Sequence, residues 1–403
     1  MSSPPTSPEQ FRLRDVALTA YGPTIVSSTG HGAVMPILAL RARDLGSDVS
    51  TAAIIVALLG IGMLVASLPG GALVARIGER QALMYAGLAD AVAMAAGALA
   101  GSVWLLGAAV VLSGMTWTIF LMARQGFMID VVPLSHRARA LSTLGGSHRV
   151  GLFLGPLLGA GLISLLDLSA VFWFACLAAI GAAALALAMP DLGAERRAAA
   201  DGARHLSVWS VLVSHRRTLL TLGTAVVVIS ASRSVRNSLL PLWADHVGIS
   251  PSATSLIFAL SGAIDMLFFY PGGWLMDRVG RLVVAVPVVA TVALATLLLP
   301  LATTTVAVAA AYVLIAVGNG LGSGIVMVLG ADAAPVEGRA QFLGGWRLCG
   351  DIGISGGPLV VGAVAAVAPL ATACIVIGLL GVAGTAWTGY WVGREDRRLS
   401  RRR

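Results

Sequence analysis

The sequence contains no lysine; all 27 of its basic residues are arginine. That excludes the Gly-x-x-x-x-Gly-Lys phosphate loop, and with it ATP-driven transport by this chain. Charge of either sign is scarce, at 11% of residues, where a soluble domain carries roughly 25%. Cysteine is scarcer still. Cys176, Cys349 and Cys374 are odd in number and widely spaced in apolar segments, which argues against a disulfide framework and leaves them as packing residues. No Cys/His cluster has metal-ligand spacing, and no polar stretch is long enough to host a catalytic domain. Neither an enzyme, a metal nor a cofactor is therefore expected.

What is present is apolar sequence, at 57% hydrophobic residues. A water-soluble core cannot absorb that much, so the solvent must be lipid. A helix crosses a bilayer core of ~30 Å with about 20 apolar residues. Such runs recur at 16–40, 51–75, 81–101, 103–128, 140–166, 169–189, 217–242, 252–276, 281–301, 304–330, 340–366 and 370–393. The net charge of +8 is then a topology signal and not a nucleic-acid signal. Residues 1–15 read as a polar cytoplasmic tail, and the apolar run that follows reads as an uncleaved first span. The longest polar insert, 191–216, divides a bundle at 16–190 from a bundle at 217–393, with a basic tail at 394–403.

Arginine sets the orientation. With the N-terminus cytoplasmic, 20 arginines fall on the inner side and only Arg41 and Arg43 on the outer. The rest (Arg124, Arg149, Arg233, Arg236 and Arg347) lie within spans. Both termini are then cytoplasmic, in a cell inner membrane.

The two halves repeat at an offset of 202. Pro69–Arg80 reads PGGALVARIGER and Pro271–Arg281 reads PGGWLMDRVGR. Asp130, Pro133 and Arg137 meet Asp332, Pro335 and Arg339. Gly151, Gly155 and Pro156 meet Gly353, Gly357 and Pro358. Six spans per half place the two halves in the same membrane orientation, related by an axis along the membrane normal.

The repeated phrase resembles the signature between the second and third spans of the major facilitator superfamily: Gly, three residues, Asp-Arg, one residue, Gly-Arg. Gly273, Asp277, Arg278, Gly280 and Arg281 fit it fully. Gly71, Arg76 and Gly78 fit the first copy, where Ala75 replaces the acid and Glu79 precedes Arg80. A second stretch, Gly151, Gly155, Pro156 and Gly159, resembles the fifth-span motif of the drug:proton antiporter branch, with Ala160 where glycine is usual. An arginine early in the fourth span, common in that branch, is missing. The resemblance implies an all-α fold of twelve transmembrane helices in two six-helix bundles. It implies a monomer with a small-molecule substrate, rocking by alternating access. It also implies an asymmetric latch, working through Asp277 and not through Ala75, and a cavity lined by the first, fourth, seventh and tenth spans.

Ionisable residues inside a membrane are costly and functional by default. Asp265, Asp351 and His31 are the proton-coupling candidates, with Asp90 on a peripheral third span behind them. Arg149 and Asp351 are repeat-equivalent, and Arg347 and Asp351 share a helix face. Arg149 is expected to pair with Asp265 across the interface, or else to hold the gate. Gating roles are also expected of Arg347, Asp277, Arg278, Arg281, Arg76, Asp130 and Asp332. Arg233 and Arg236 either bind an anionic group, pair with Asp245 or Asp44, or snorkel outward. Asn319, Trp117 and Arg124 complete the substrate-binding candidates. The reading is proton-coupled efflux of a small organic compound. The alternative is proton-coupled uptake of an anionic metabolite, since in-span arginines outnumber in-span aspartates. A transport-inactive sensor or scaffold is the third.

Overall fold

The computed structural model describes residues 17–132, 134–189, 208–335 and 337–400. These residues are helical throughout, with no strand among them. Half one begins with α1 (Ala17–Val34), which passes through a 3-10 turn at Met35–Ile37 into α2 (Leu38–Asp44). Then come α3 (Val49–Ile77), α4 (Glu79–Ala98), α5 (Val103–Val131), α6 (Leu134–Leu165) and α7 (Leu168–Leu187). Half two opens with α8 (Val208–Ser214) and α9 (Arg216–Thr218), and a π turn at Leu219–Gly223 leads into α10 (Thr224–His246). It continues with α11 (Pro251–Arg278), α12 (Leu282–Leu298), α13 (Thr305–Leu321), α14 (Ile325–Ala333), α15 (Arg339–Ala365) and α16 (Leu370–Ser400).

Among the described residues, ten helical stretches are long and apolar enough to cross a membrane. The rods at 17–44 and 79–98 fall short by composition. The first is broken at Met35–Ile37 and carries hydroxyls and His31; α4 carries Asp90. Both pack inside half one, α1 against α6 and α7 and α4 against α5 and α7, so these polar groups face protein. Leu88, Val92, Leu177, Leu220, Leu267 and Leu379 are exposed, as a lipid-facing belt requires.

Two boundaries differ from the sequence expectation. The central insert is already helical from Val208, because Val211 is buried in the core of half two. The basic tail is helical to Ser400, because the Asp396 carboxylate accepts a 2.8 Å hydrogen bond from the Leu282 backbone N–H and caps α12.

The repeat is visible in the backbone. Gly46 and Gly248 end the first rod of each half at φ +82° and +77°, and Gly78 and Gly280 turn the chain at +89° and +120°. Only glycine takes these angles cheaply. Asp48 and Ser250 cap α3 and α11, and Ser102 and Thr304 cap α5 and α13, each accepting from an N–H three residues on. The contacts pair in the same way. The α3–α5 contact matches α11–α13, α1–α6 matches α10–α15, and α4–α7 matches α12–α16. Across the interface, α3 meets α15 and α11 meets α6.

The halves share one hydrophobic core at the arginine-poor side, running through Leu38, Ile55, Leu240, Trp243, Ile257 and Val361. At the arginine-rich side each half has its own core; among the described residues, Ile354 alone packs from half two onto that of half one. Gly71, Gly145, Gly146, Gly273 and Gly344, all toward that side on the interface helices, face open space. The molecule is therefore closed at the arginine-poor side and parted at the other.

Among the described residues, one ion pair ties the closed side, Arg43 to Asp245 at 3.4 Å, and its partners are themselves repeat-equivalent. Both side chains are over a third exposed, so a double-mutant cycle should give a coupling below about 1 kcal/mol. A larger value in detergent melting experiments would mean the pair is desolvated.

Candidate functional site

A cavity of about 390 Å³ lies between the halves. Half one supplies aromatic and imidazole rings. His31 of α1 stacks on Trp117 of α5 with centroids 3.9 Å apart, and Trp117 lies 5.6 Å from His148 of α6. Half two supplies charge: Arg233 and Arg236 of α10 and Asp265 of α11, with Asn237 and Asn319 beside them. Arg149 crosses from half one into the same wall. Three guanidinium groups thus face one carboxylate. The cavity is lined by the first, fourth, seventh and tenth rods, as the resemblance implies, but also by the second, fifth, eighth and eleventh.

The motif glycines explain how the rings and charges are held. A Cβ on Gly151 or Gly155 would strike the backbone of α1 between Ile25 and Ala33. One on Gly353 or Gly357 would strike α10 between Val227 and Ser234. Each pair seats a helix that brings ionisable groups to the cavity, His31 in one half and Arg233 with Arg236 in the other. Close helix approach is what small residues at i and i+4 permit.

The expected Arg149–Asp265 pair is not formed. Asp265 accepts from Arg236 at 3.1 Å, on the neighbouring helix of its own half. Arg149 instead lies over the Phe269 ring, 4.3 Å from its centroid. Phe269 is one turn past Asp265, so the depth was right and the partner was not. Asp351 accepts from the Ser67 hydroxyl of α3 and lies 3.9 Å from Arg347. At an offset of 202, Arg149 matches Asp351 and Phe269 matches Ser67. The cation–π contact and the hydrogen bond are therefore two copies of one cross-half contact, made with different chemistry.

Arg233 and Arg236 do not snorkel outward, and they do not pair with Asp245 or Asp44. Those two aspartates are taken by Arg43 and Arg41. Arg124 is not in the cavity wall; its Nε and Nη1 are buried without a hydrogen-bond partner among the described residues, within electrostatic reach of Arg347. At the arginine-rich side, Arg281 pairs with Asp332 at 2.9 Å, inside half two. Arg278 lies over Trp274 at 4.7 Å, and Arg76 is exposed. Asp277 makes no ion pair among the described residues. The side chains of Asp130, Arg137 and Arg339 lie outside the described residues, as do the N-terminal tail and the polar insert up to 207. The three cysteines are free; Cys176 and Cys374 are buried.

Sequence reasoning ranked Asp90 low and missed its partners. Asp90 is 5% exposed. It accepts from Ser113 at 2.8 Å and Thr116 at 3.1 Å, and lies 3.6 Å from the His31 ring. His148, bonded to Ser28 at 2.7 Å, was also missed. Its adjacency to Arg149, three residues before the glycine motif, was the available signal.

The sequence model of the Major Facilitator Superfamily matches residues 24–358 and 222–403. The chain belongs to this family. With its membrane-length helices, it is a multi-pass membrane protein of that family. Among relatives, quinolone resistance protein NorA of Staphylococcus aureus is 23% identical over 59% of this chain and 61% of its own length. Multidrug resistance protein MdtH of Yersinia enterocolitica is 27% identical over 60% and 59%. A class H tetracycline resistance protein of Pasteurella multocida is 27% identical over 38% and 39%. The chain thus spans about three fifths of the first two. Among solved structures, the peptide transporter POT superposes with TM-score 0.77 at 15% identity, covering 95% of each chain. The nucleoside transporter NupG gives 0.75 at 13%, covering 93% of this chain and 98% of its own. These last two speak to the fold.

Proposed function

We propose that this chain exports a small organic compound in exchange for protons, by alternating access. The observation that carries the reading is the cavity itself, set between the halves and lined by ionisable groups, in a molecule joined at the arginine-poor side and parted at the other. The positive-inside rule makes the open side cytoplasmic, with both termini there, in the cell inner membrane. Resistance-protein relatives support export. The units are the bundles 16–190 and 217–393, working as a monomer.

Asp265, Asp351 and His31 are the proton carriers in this reading. Asp265 exchanges a proton against its pairing with Arg236. Asp351 sits on a cross-half contact, so rocking changes its surroundings. Asp277 latches the parted side when it closes.

Inside-out vesicles, energised and loaded with a pH-sensitive dye, test this. Adding a transported compound should release internal protons from wild type and not from Asp265→Asn. Proton-linked accumulation of compound in right-side-out vesicles, with no release here, would reverse the direction.

A further inference from the structure

We infer that the transported compound is an amphipathic organic anion, whose acidic group is held between Arg149 and Arg233 and whose apolar body lies against Trp117. This rests on the cavity being the transport site.

The charge balance is the starting point. Among the described residues, Arg236 is the only one of the three guanidinium groups in the wall with a carboxylate within ion-pair distance. Arg149 has an aromatic face, and Arg233 has no ion pair among the described residues. Like charges held near mid-membrane are expensive, and the cost is met when an anion binds between them. Guanidinium groups also match the planar or tetrahedral oxygens of a carboxylate, sulfonate or phosphonate.

The opposite wall sets the rest of the molecule. The stacked His31 and Trp117, with Met35, Met63 and Leu152, are apolar or aromatic. A site with a few convergent charges and an apolar remainder orients a ligand by its charged end. The cavity's size falls in the usual range for small organic ligands, about 300–1,000 Å³. Because Arg149 comes from half one and Arg233 from half two, the acidic group bridges the halves. An inside-negative potential favours outward movement of an anion, which agrees with export.

The test is binding in a neutral detergent, independent of transport. The probes are arylalkyl carboxylates, sulfonates and phosphonates, each with its neutral amide or alcohol and its amine of the same skeleton. Thermal stabilisation reads occupancy. The acids should stabilise wild type, and the neutral and cationic partners should not. Arg233→Gln and Arg149→Gln should each weaken the response about tenfold or more, the scale of one charge-assisted hydrogen bond. Arg233→Lys should recover part of it. Unliganded Arg233→Gln should melt no lower than wild type, since it removes one of three like charges that share a single carboxylate; a structural arginine would behave oppositely. Equal stabilisation by amines, no response to any acid, or a response that survives both Gln variants overturns the inference. Stabilisation by phosphatidylglycerol alone also overturns it, by assigning the site to a lipid headgroup. Acid binding without proton release in vesicles would sink the exchange reading and leave this one standing.

Discussion

Gly155→Val should leave little folded protein, and what folds should not transport. The valine Cβ would meet the Thr29 carbonyl and the Ala33 amide of α1, and backbone cannot swing aside as a side chain can. Overpacking of this kind costs about 3 kcal/mol or more, a large part of any domain's stability. The loss of function follows from the address of the clash. Thr29, Gly32 and Ala33 flank His31, whose ring stacks on Trp117 in the cavity wall. Pushing α1 away moves that ring. Gly357→Val should act alike on α10, where its Cβ would meet Ala231 and Ser234. Gly159→Ala should be tolerated, because its nearest neighbour would be 3.4 Å away. Gly161→Val, on the same helix with nothing within 4 Å, is the control. Monodisperse yield in detergent, followed by the vesicle assay, separates the four variants. Normal yield for Gly155→Val would mean the helices are further apart than described.

Asp90→Ala should lower stability and uncouple transport. Asp90 accepts from Ser113 and Thr116 and lies against His31, all of them buried. Removing it takes the carboxylate from two buried hydroxyls, leaving Ser113 with the His31 ring and Thr116 with the Ser113 carbonyl. Each hydrogen bond to the carboxylate that is lost costs about 1.5–3 kcal/mol. Asp90→Asn keeps an oxygen for both hydroxyls but cannot carry charge. It should keep most of the melting temperature and still lose proton-linked transport, if His31 exchanges protons against Asp90. Full coupling in Asp90→Asn, with stability lost only in Asp90→Ala, would make the cluster purely structural and leave Asp265 and Asp351 as the carriers.

The same two regions show where sequence reading succeeds and where it stops. Gly151, Gly155 and Pro156 stood out because they recur at Gly353, Gly357 and Pro358. Their role as seats for α1 and α10 needed coordinates, since the sequence does not say which helix lies in the groove. Asp265 and Arg149 were correctly placed at similar depth, because rise along a helix is fixed. Their pairing failed because rotation about the helix axis is not. A span that is apolar nearly all round buries as well in one orientation as in another, so pattern alone does not aim its few polar side chains. Asp90 was set aside for that reason. Its helix was assigned to the periphery, yet one face of α4 packs on α5 and α7 and carries the carboxylate inward.

The sequence by itself determined that this is a lipid-solvated helical protein of two parallel halves, because a bilayer admits few other structures and a repeat offset is a matter of counting. It also determined which residues are ionisable within spans. The tertiary structure decided who meets whom: Arg236 with Asp265, Asp90 with His31, Arg149 with Phe269 and Asp351 with Ser67. Those choices depend on how each helix is rolled against its neighbours. Roll is set by glycine seats and side-chain packing from distant parts of the chain, which no local pattern records.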